Sequence, residues 1–152
     1  MARIRWIRVW NLHITTKFIG KWPFHRLPEL CRFLHGLPPT PKFSLTLTGL
    51  RYFQMPVQGW VLYAKVEPCE GLNQLAEALD NYMAEYGVRR SFEEYLPHVT
   101  IGRIAGNNPW LELDERVADY SMKPLGTFDV NEYHIYESTP SGYRQCFSIP
   151  LG

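Results

Sequence analysis

A chain of 152 residues that is 45% hydrophobic, 14% aromatic and 20% charged can build one packed core and is too apolar for a disordered or low-complexity protein. One domain over residues 1–152 is therefore expected. No apolar run reaches the roughly 18 residues of a membrane span, and the N-terminus lacks the apolar stretch of a signal peptide, so the expected location is the cytoplasm.

The net charge of +1 hides an uneven distribution. Residues 1–66 hold ten of the 16 Lys and Arg but only Glu29 among the 15 acids. A basic surface for a polyanion reads this way, and so does a charge pairing of the two halves with no ligand. Cys31, Cys69 and Cys146 are odd in number and far apart. They imply neither a disulfide framework nor a zinc site, and read as reduced, mostly buried thiols.

In chain order, residues 4–9 and 12–19 alternate with period two, as half-buried strands do. Within the second, Leu12, Ile14, Thr16 and Phe18 would share one face, and His13, Thr15 and Lys17 the other. Residues 27–35 have helical spacing and end at Gly36. Strands are expected at 43–48 and 60–66, which are rich in aromatic and β-branched residues. Leu72, Leu75, Ala76, Leu79, Tyr82 and Met83 line one side of a longer helix that Gly87 is placed to stop. A strand at 97–103 follows, then a helix over 108–119 with Asn108 as N-cap and Pro109 at its first position. Strands at 128–136 and 143–149 close the chain. The pattern is α+β with mostly antiparallel strands, and the order of elements hints at two similar halves.

One triplet occurs once in each half. His13-Ile14-Thr15 lies in Asn11-Leu12-His13-Ile14-Thr15-Thr16-Lys17-Phe18-Ile19-Gly20, and His98-Val99-Thr100 in Leu96-Pro97-His98-Val99-Thr100-Ile101-Gly102-Arg103. Alternation puts imidazole and hydroxyl on the same strand face in both. Displacement at phosphorus needs one group to take a proton from the nucleophile and another to protonate the leaving oxygen. Histidine serves either role near neutral pH. Thr15 and Thr100 can donate hydrogen bonds to the phosphate oxygens, and Lys17 and Arg103 can neutralise charge. A single H-x-T on a strand is usually a structural histidine beside a β-branched residue. Two of five histidines in this context are harder to assign to structure; His25, His35 and His134 lack it and read as surface or structural.

At these residues the chain resembles the two-histidine (2H) phosphoesterase superfamily, most closely the bacterial RNA 2′,3′-cyclic phosphodiesterases, also called 2′-5′ RNA ligases. Asn11-Leu12-His13-Ile14-Thr15-Thr16-Lys17-Phe18-Ile19-Gly20 is similar to that family's first motif and Pro97-His98-Val99-Thr100-Ile101-Gly102-Arg103 to its second. The ending from Phe128 through Tyr136-Glu137-Ser138 to Tyr143 and the last strand resembles the family's C-terminus, so the likeness covers nearly the whole chain. It implies a two-lobed, pseudo-symmetric fold of mostly antiparallel sheets around a central cleft, with helices outside. His13 and His98 would be catalytic, and Thr15, Thr100, Lys17 and Arg103 would bind substrate. The implied reaction opens a 2′,3′-cyclic phosphate on an RNA end to a 2′-phosphate without ATP, metal or other cofactor, with weak joining in reverse. Strict alternation would turn Arg103 away from His98, so a strand end or bulge at Gly102 is expected. Family members usually carry an extra strand and helix before the segment matching Arg5-Trp6. An unpaired sheet edge and a homo-oligomer formed through it, with residues 3–10 contributing, are therefore also expected.

Phe18, Tyr52, Phe53, Phe92 and Tyr95 lie near the motifs and could stack on a base, although core packing is the ordinary role of such residues. Two other enzyme substrates fit the same motifs, a small cyclic nucleotide and an ADP-ribose cyclic phosphate. A non-catalytic RNA-binding module would not need two titratable imidazoles. A zinc hydrolase would need a third ligand that the sequence does not show.

Overall fold

The computed structural model describes residues 3–55, 59–105, 117 and 124–152. The helix expected at 108–119 lies outside them except for Val117, which is helical and buried. The described elements are β1 (Arg3–Trp6), α1 (Leu27–His35), β2 (Phe43–Met55), β3 (Gly59–Val66), α2 (Glu70–Glu85), β4 (His98–Ala105), β5 (Pro124–Val130), β6 (Glu132–Thr139) and β7 (Gly142–Pro150). The fold is α+β, as the sequence predicts. One sheet has the order β1-β4-β3-β2-β5, and β6 with β7 forms a separate antiparallel pair.

The chain divides into two compact units, Met1–Ile14, Leu45–Pro68 and Pro97–Phe128 in the first, Thr15–Ser44, Cys69–Leu96 and Asp129–Gly152 in the second. They interleave along the sequence instead of following its two halves. The cause in the first unit is strand pairing, since β1 and β3 both lie antiparallel to β4.

In the first unit, Leu62, Ala64, Val66, Val99 and Ile104 are buried. Val99 and Ile104 would fall on opposite faces of an unbroken strand. The register of β3 against β4 runs Leu62↔Gly102 and then Tyr63↔Thr100, leaving Ile101 as an extra residue. This bulge lets both apolar side chains reach the core. β2 shifts register in the same way between Leu47 and Leu50, where Gly49 has φ 73°, a left-handed conformation suited to glycine.

The core of the second unit joins Leu30 and Leu34 of α1, Leu75, Leu79 and Met83 of α2, and Ile135 and Ile149 of β6 and β7. Gly87 ends α2 as expected. Its φ is 99°, its N–H donates to Ala84 O (3.2 Å) and the Val88 N–H to Met83 O (3.0 Å), pairing two carbonyls that the helix end would leave open. The Tyr82 hydroxyl donates to Phe33 O at 2.7 Å and so ties α2 to α1.

Three sequence expectations are corrected. Residues 12–19 form no strand; a 3-10 turn at Val9–Asn11 precedes them, and Phe18, placed on an apolar face by alternation, is 79% exposed. The segment 128–136 is not continuous but breaks at Asn131, whose carbonyl accepts the Leu151 N–H at 2.7 Å. Only Cys31 of the three free cysteines is buried. Residues 3–6 pair with β4 of the same chain and form one edge of the first sheet.

Candidate active site

The first histidine is set by a turn. The 3-10 turn closes with Leu12 N–H donating to Val9 O at 3.2 Å, and Leu12 then leaves in an extended conformation, φ −68° and ψ 130°. His13 follows, half-buried, with Nδ1 2.8 Å from Asn11 O. A carbonyl only accepts, so the proton sits on Nδ1 and the neutral ring presents its lone pair at Nε2. Such a bond fixes both tautomer and ring orientation, as a general base requires.

Beyond His13 the segment is tied to the rest of its unit by side-chain contacts. The Tyr95 hydroxyl donates to Thr15 O at 2.8 Å, and burial raises the Tyr95 pKa, so the hydroxyl keeps its proton. The Lys17 side chain is 3% exposed, and its ammonium donates to Asp80 Oδ1 (2.5 Å), Arg89 O (2.7 Å) and Ser91 Oγ (3.3 Å). These contacts use all three donors of the ammonium. Asp80, on α2, also accepts the Ser91 N–H at 2.9 Å. The bond from Lys17 holds its carboxyl below the usual value despite partial burial, and the Ser91 N–H adds to this.

The second motif opens β4. His98 pairs with Lys65, Thr100 with Tyr63 and Arg103 with Val61, and Val61, Tyr63 and Lys65 alternate onto one face of β3. His98, Thr100 and Arg103 therefore share a face, which the extra residue at Ile101 makes possible. The expected bulge is present one position before Gly102. His98 meets the rings of Tyr63 (5.6 Å, 72°) and Phe53 (6.1 Å, 87°) in edge-to-face arrangements that restrict its rotation.

His13, His98, Thr100 and Arg103 belong to the first unit, and Thr15 and Lys17 to the second. The remaining histidines have structural partners: His35 Nδ1 lies 2.8 Å from Cys31 O and His134 Nδ1 2.8 Å from Ser148 Oγ, while His25 sits in an exposed 3-10 turn. Of the aromatics considered for stacking, Phe53 packs on His98, Tyr52 on Trp60, and Tyr95 serves as a hydroxyl donor. Phe92 is 81% exposed with the Arg89 guanidinium 4.7 Å from its ring centre. Sequence reading misses Tyr63 and Asp80. Tyr63 shares the phase of Val61 and Lys65 on β3, and that phase is its only signal; Asp80 has none, being far from Lys17 in the chain.

The model of the 2′-5′ RNA ligase superfamily matches residues 3–141. A curated Thermotoga maritima protein, an RNA 2′,3′-cyclic phosphodiesterase, is 34% identical over 90% of this chain and 73% of its own. A Methanothermobacter thermautotrophicus protein of the same name is 29% identical over 93% and 78%. Among solved structures, E. coli LigT complexed with 3′-AMP aligns with a TM-score of 0.72 and 25% identity, covering 97% of this chain and 80% of that one. A Thermus thermophilus structure at 23% identity, TM-score 0.71, covering 97% and 82%, shares the fold. The chain belongs to the 2′-5′ RNA ligase superfamily, the 2H phosphoesterases.

Proposed function

We propose that this chain hydrolyses 2′,3′-cyclic phosphates at RNA ends to 2′-phosphates, with His13 and His98 as the acid-base pair. The observation that carries this reading is the bulge at Ile101, which gathers His98, Thr100 and Arg103 on one sheet face. The fixed Nδ1 proton of His13 and the names of the curated relatives support it. In the reaction, water attacks phosphorus and gives a proton to one histidine. The bond from phosphorus to the 3′ oxygen breaks, and the other histidine protonates that oxygen. Thr15, Thr100 and Arg103 stabilise the charge on the phosphate oxygens. With the 5′-hydroxyl of a second RNA in place of water as the nucleophile, the same steps would open the cyclic phosphate into a 2′-5′ linkage. Small cyclic nucleotides fit the same chemistry, and turnover of both substrates side by side ranks them. We place the enzyme in the cytoplasm, where free thiols persist. No helix among the described residues is long and apolar enough to cross a membrane.

The test is incubation with an RNA ending in a 2′,3′-cyclic phosphate, with chelator present, followed by identification of the product isomer. A 2′-phosphate product at an undiminished rate is expected. Loss of all activity in chelator, restored by zinc or manganese, would overturn the metal-free mechanism.

Arg103→Ala is expected to raise KM more than it lowers kcat, because a cation on this face mainly holds phosphate, whereas a histidine moves protons. An unchanged KM would exclude that role.

A further inference from the structure

The charge asymmetry of the sequence has a specific place in the first unit. Strands β1 to β4 carry Arg3, Arg5, Arg51, Lys65 and Arg103, and none of the chain's 15 acids. The ladder fixes the face of four of these cations. Lys65 is opposite His98, Arg51 opposite Tyr63, Arg103 opposite Val61, and Arg5 opposite Arg103. Arg5, Arg51, Lys65 and Arg103 therefore share the face of His98. The opposite face holds Ile4, Leu62, Ala64, Val66, Val99 and Ile104.

Hydrophobic burial explains the apolar face; on the other face Val61 is also buried, and the charged side chains of β1 to β4 around it are all cations. Arg5 and Arg103 stand directly opposite each other in the antiparallel pair, which concentrates positive charge at that point of the face. One cyclic phosphate needs only the cation nearest the histidine. Arg5, on the edge strand, and Arg51, on the other side of β3, lie on different strands from His98, at the spacing of successive ladders rather than of one phosphate. Arg5 and Lys65 are exposed, and Arg51 and Arg103 half-buried.

We propose that this face is a binding track for the internucleotide phosphates of single-stranded RNA on the 5′ side of its cyclic end, with Arg5, Arg51 and Lys65 as its cations. The proposal rests on the RNA-end reading above and makes a polymer, in preference to a mononucleotide cyclic phosphate, the substrate class.

The test is binding, which does not depend on turnover. A short fluorescent single-stranded RNA with an ordinary 3′-hydroxyl end is titrated with the protein at several salt concentrations. The Arg5→Gln, Lys65→Gln double variant is expected to bind about tenfold more weakly. Its slope of log K against log salt is expected to fall by about 1.4, at about 0.7 for each single-strand phosphate that is no longer neutralised. The charge-keeping pair Arg5→Lys, Lys65→Arg is expected to keep the wild-type slope, which separates lost charge from disturbed folding. Equal affinity and slope for wild type and the Gln variant would overturn the proposal, as would no binding by wild type. Binding with the expected slope but no turnover of the cyclic-phosphate RNA supports the track while overturning the hydrolase reading. In the turnover assay, the preference in kcat/KM for a cyclic-phosphate oligonucleotide over the mononucleotide is expected to fall about tenfold in the Gln variant.

Discussion

Alanine at either His13 or His98 is expected to cost about 10² to 10⁴-fold in kcat, and alanine at both about as much as at either alone. The two imidazoles act on one displacement. Once either proton transfer is missing, the other no longer lies on an efficient path, so the losses do not add. The pH profile of the wild type is expected to be bell-shaped, because one histidine must be neutral and the other charged. The limbs report the pair as coupled macroscopic values and do not assign either residue. Each single variant should lose one limb. The bond from His13 Nδ1 to Asn11 O leads to a further expectation: His13→Gln, which cannot present a basic nitrogen, is expected to be as inactive as His13→Ala. A His13→Ala or His98→Ala protein that folds normally and keeps more than about a tenth of the wild-type rate would exclude the role proposed for that residue.

Much of the second motif is legible in the sequence, and much of the first motif's structure is not. Alternation on 97–103 predicts a strand, and β4 is one because Val99 and Ile104 have a core to enter and β1 and β3 pair on its two sides. The sequence implies the bulge through Arg103, which must face His98. The same information is present in the spacing of Val99 and Ile104, which no unbroken strand can bury together. Around His13 the alternation is just as clean, yet no strand forms. The Thr15 carbonyl there accepts from the Tyr95 hydroxyl, a side chain from elsewhere in the chain, instead of from a strand neighbour. Period two reports which side chains could share a face. It does not report whether a neighbouring strand is available to pair with. The two described helices are legible for the opposite reason, since their backbone bonds are internal and Gly87 marks the end of α2 by its own conformational freedom. The interleaving of the two units follows from strand pairing across long separations, which elements taken in chain order do not show.

Lys17 is where sequence and structure lead to different roles, and stability measurements separate them. Placed two residues after Thr15, it reads from sequence as a cation for the phosphate. In the fold its ammonium is spent on Asp80, Arg89 O and Ser91. That arrangement supports a clip between the motif segment and the C-terminal part of α2. Removing one member of an ion pair this deep strands the other. The loss expected for Asp80→Asn is about 2 to 3 kcal/mol, toward or below the low end for a fully buried pair because Asp80 keeps 23% of its side-chain surface exposed. In a chain of this size that lowers the melting midpoint by about 5 to 10 °C. The pH dependence follows from the depressed Asp80 pKa. A carboxyl held below its ordinary value of 3.8 stabilises the fold fully above that value and loses its contribution as pH falls through its own lower value. The difference in midpoint between wild type and Asp80→Asn is therefore expected to be largest near neutral pH and to shrink in strong acid. Lys17→Met with Asp80→Asn should cost less than the sum of the single variants, because neither charge is then left unpaired. Activity at a temperature where all variants are folded decides the role. A clip makes Lys17→Met and Asp80→Asn lose activity to the same extent, whereas a phosphate ligand makes Lys17→Met lose far more. Equal melting midpoints for wild type and Asp80→Asn at neutral pH would show that the pair does not hold the segment.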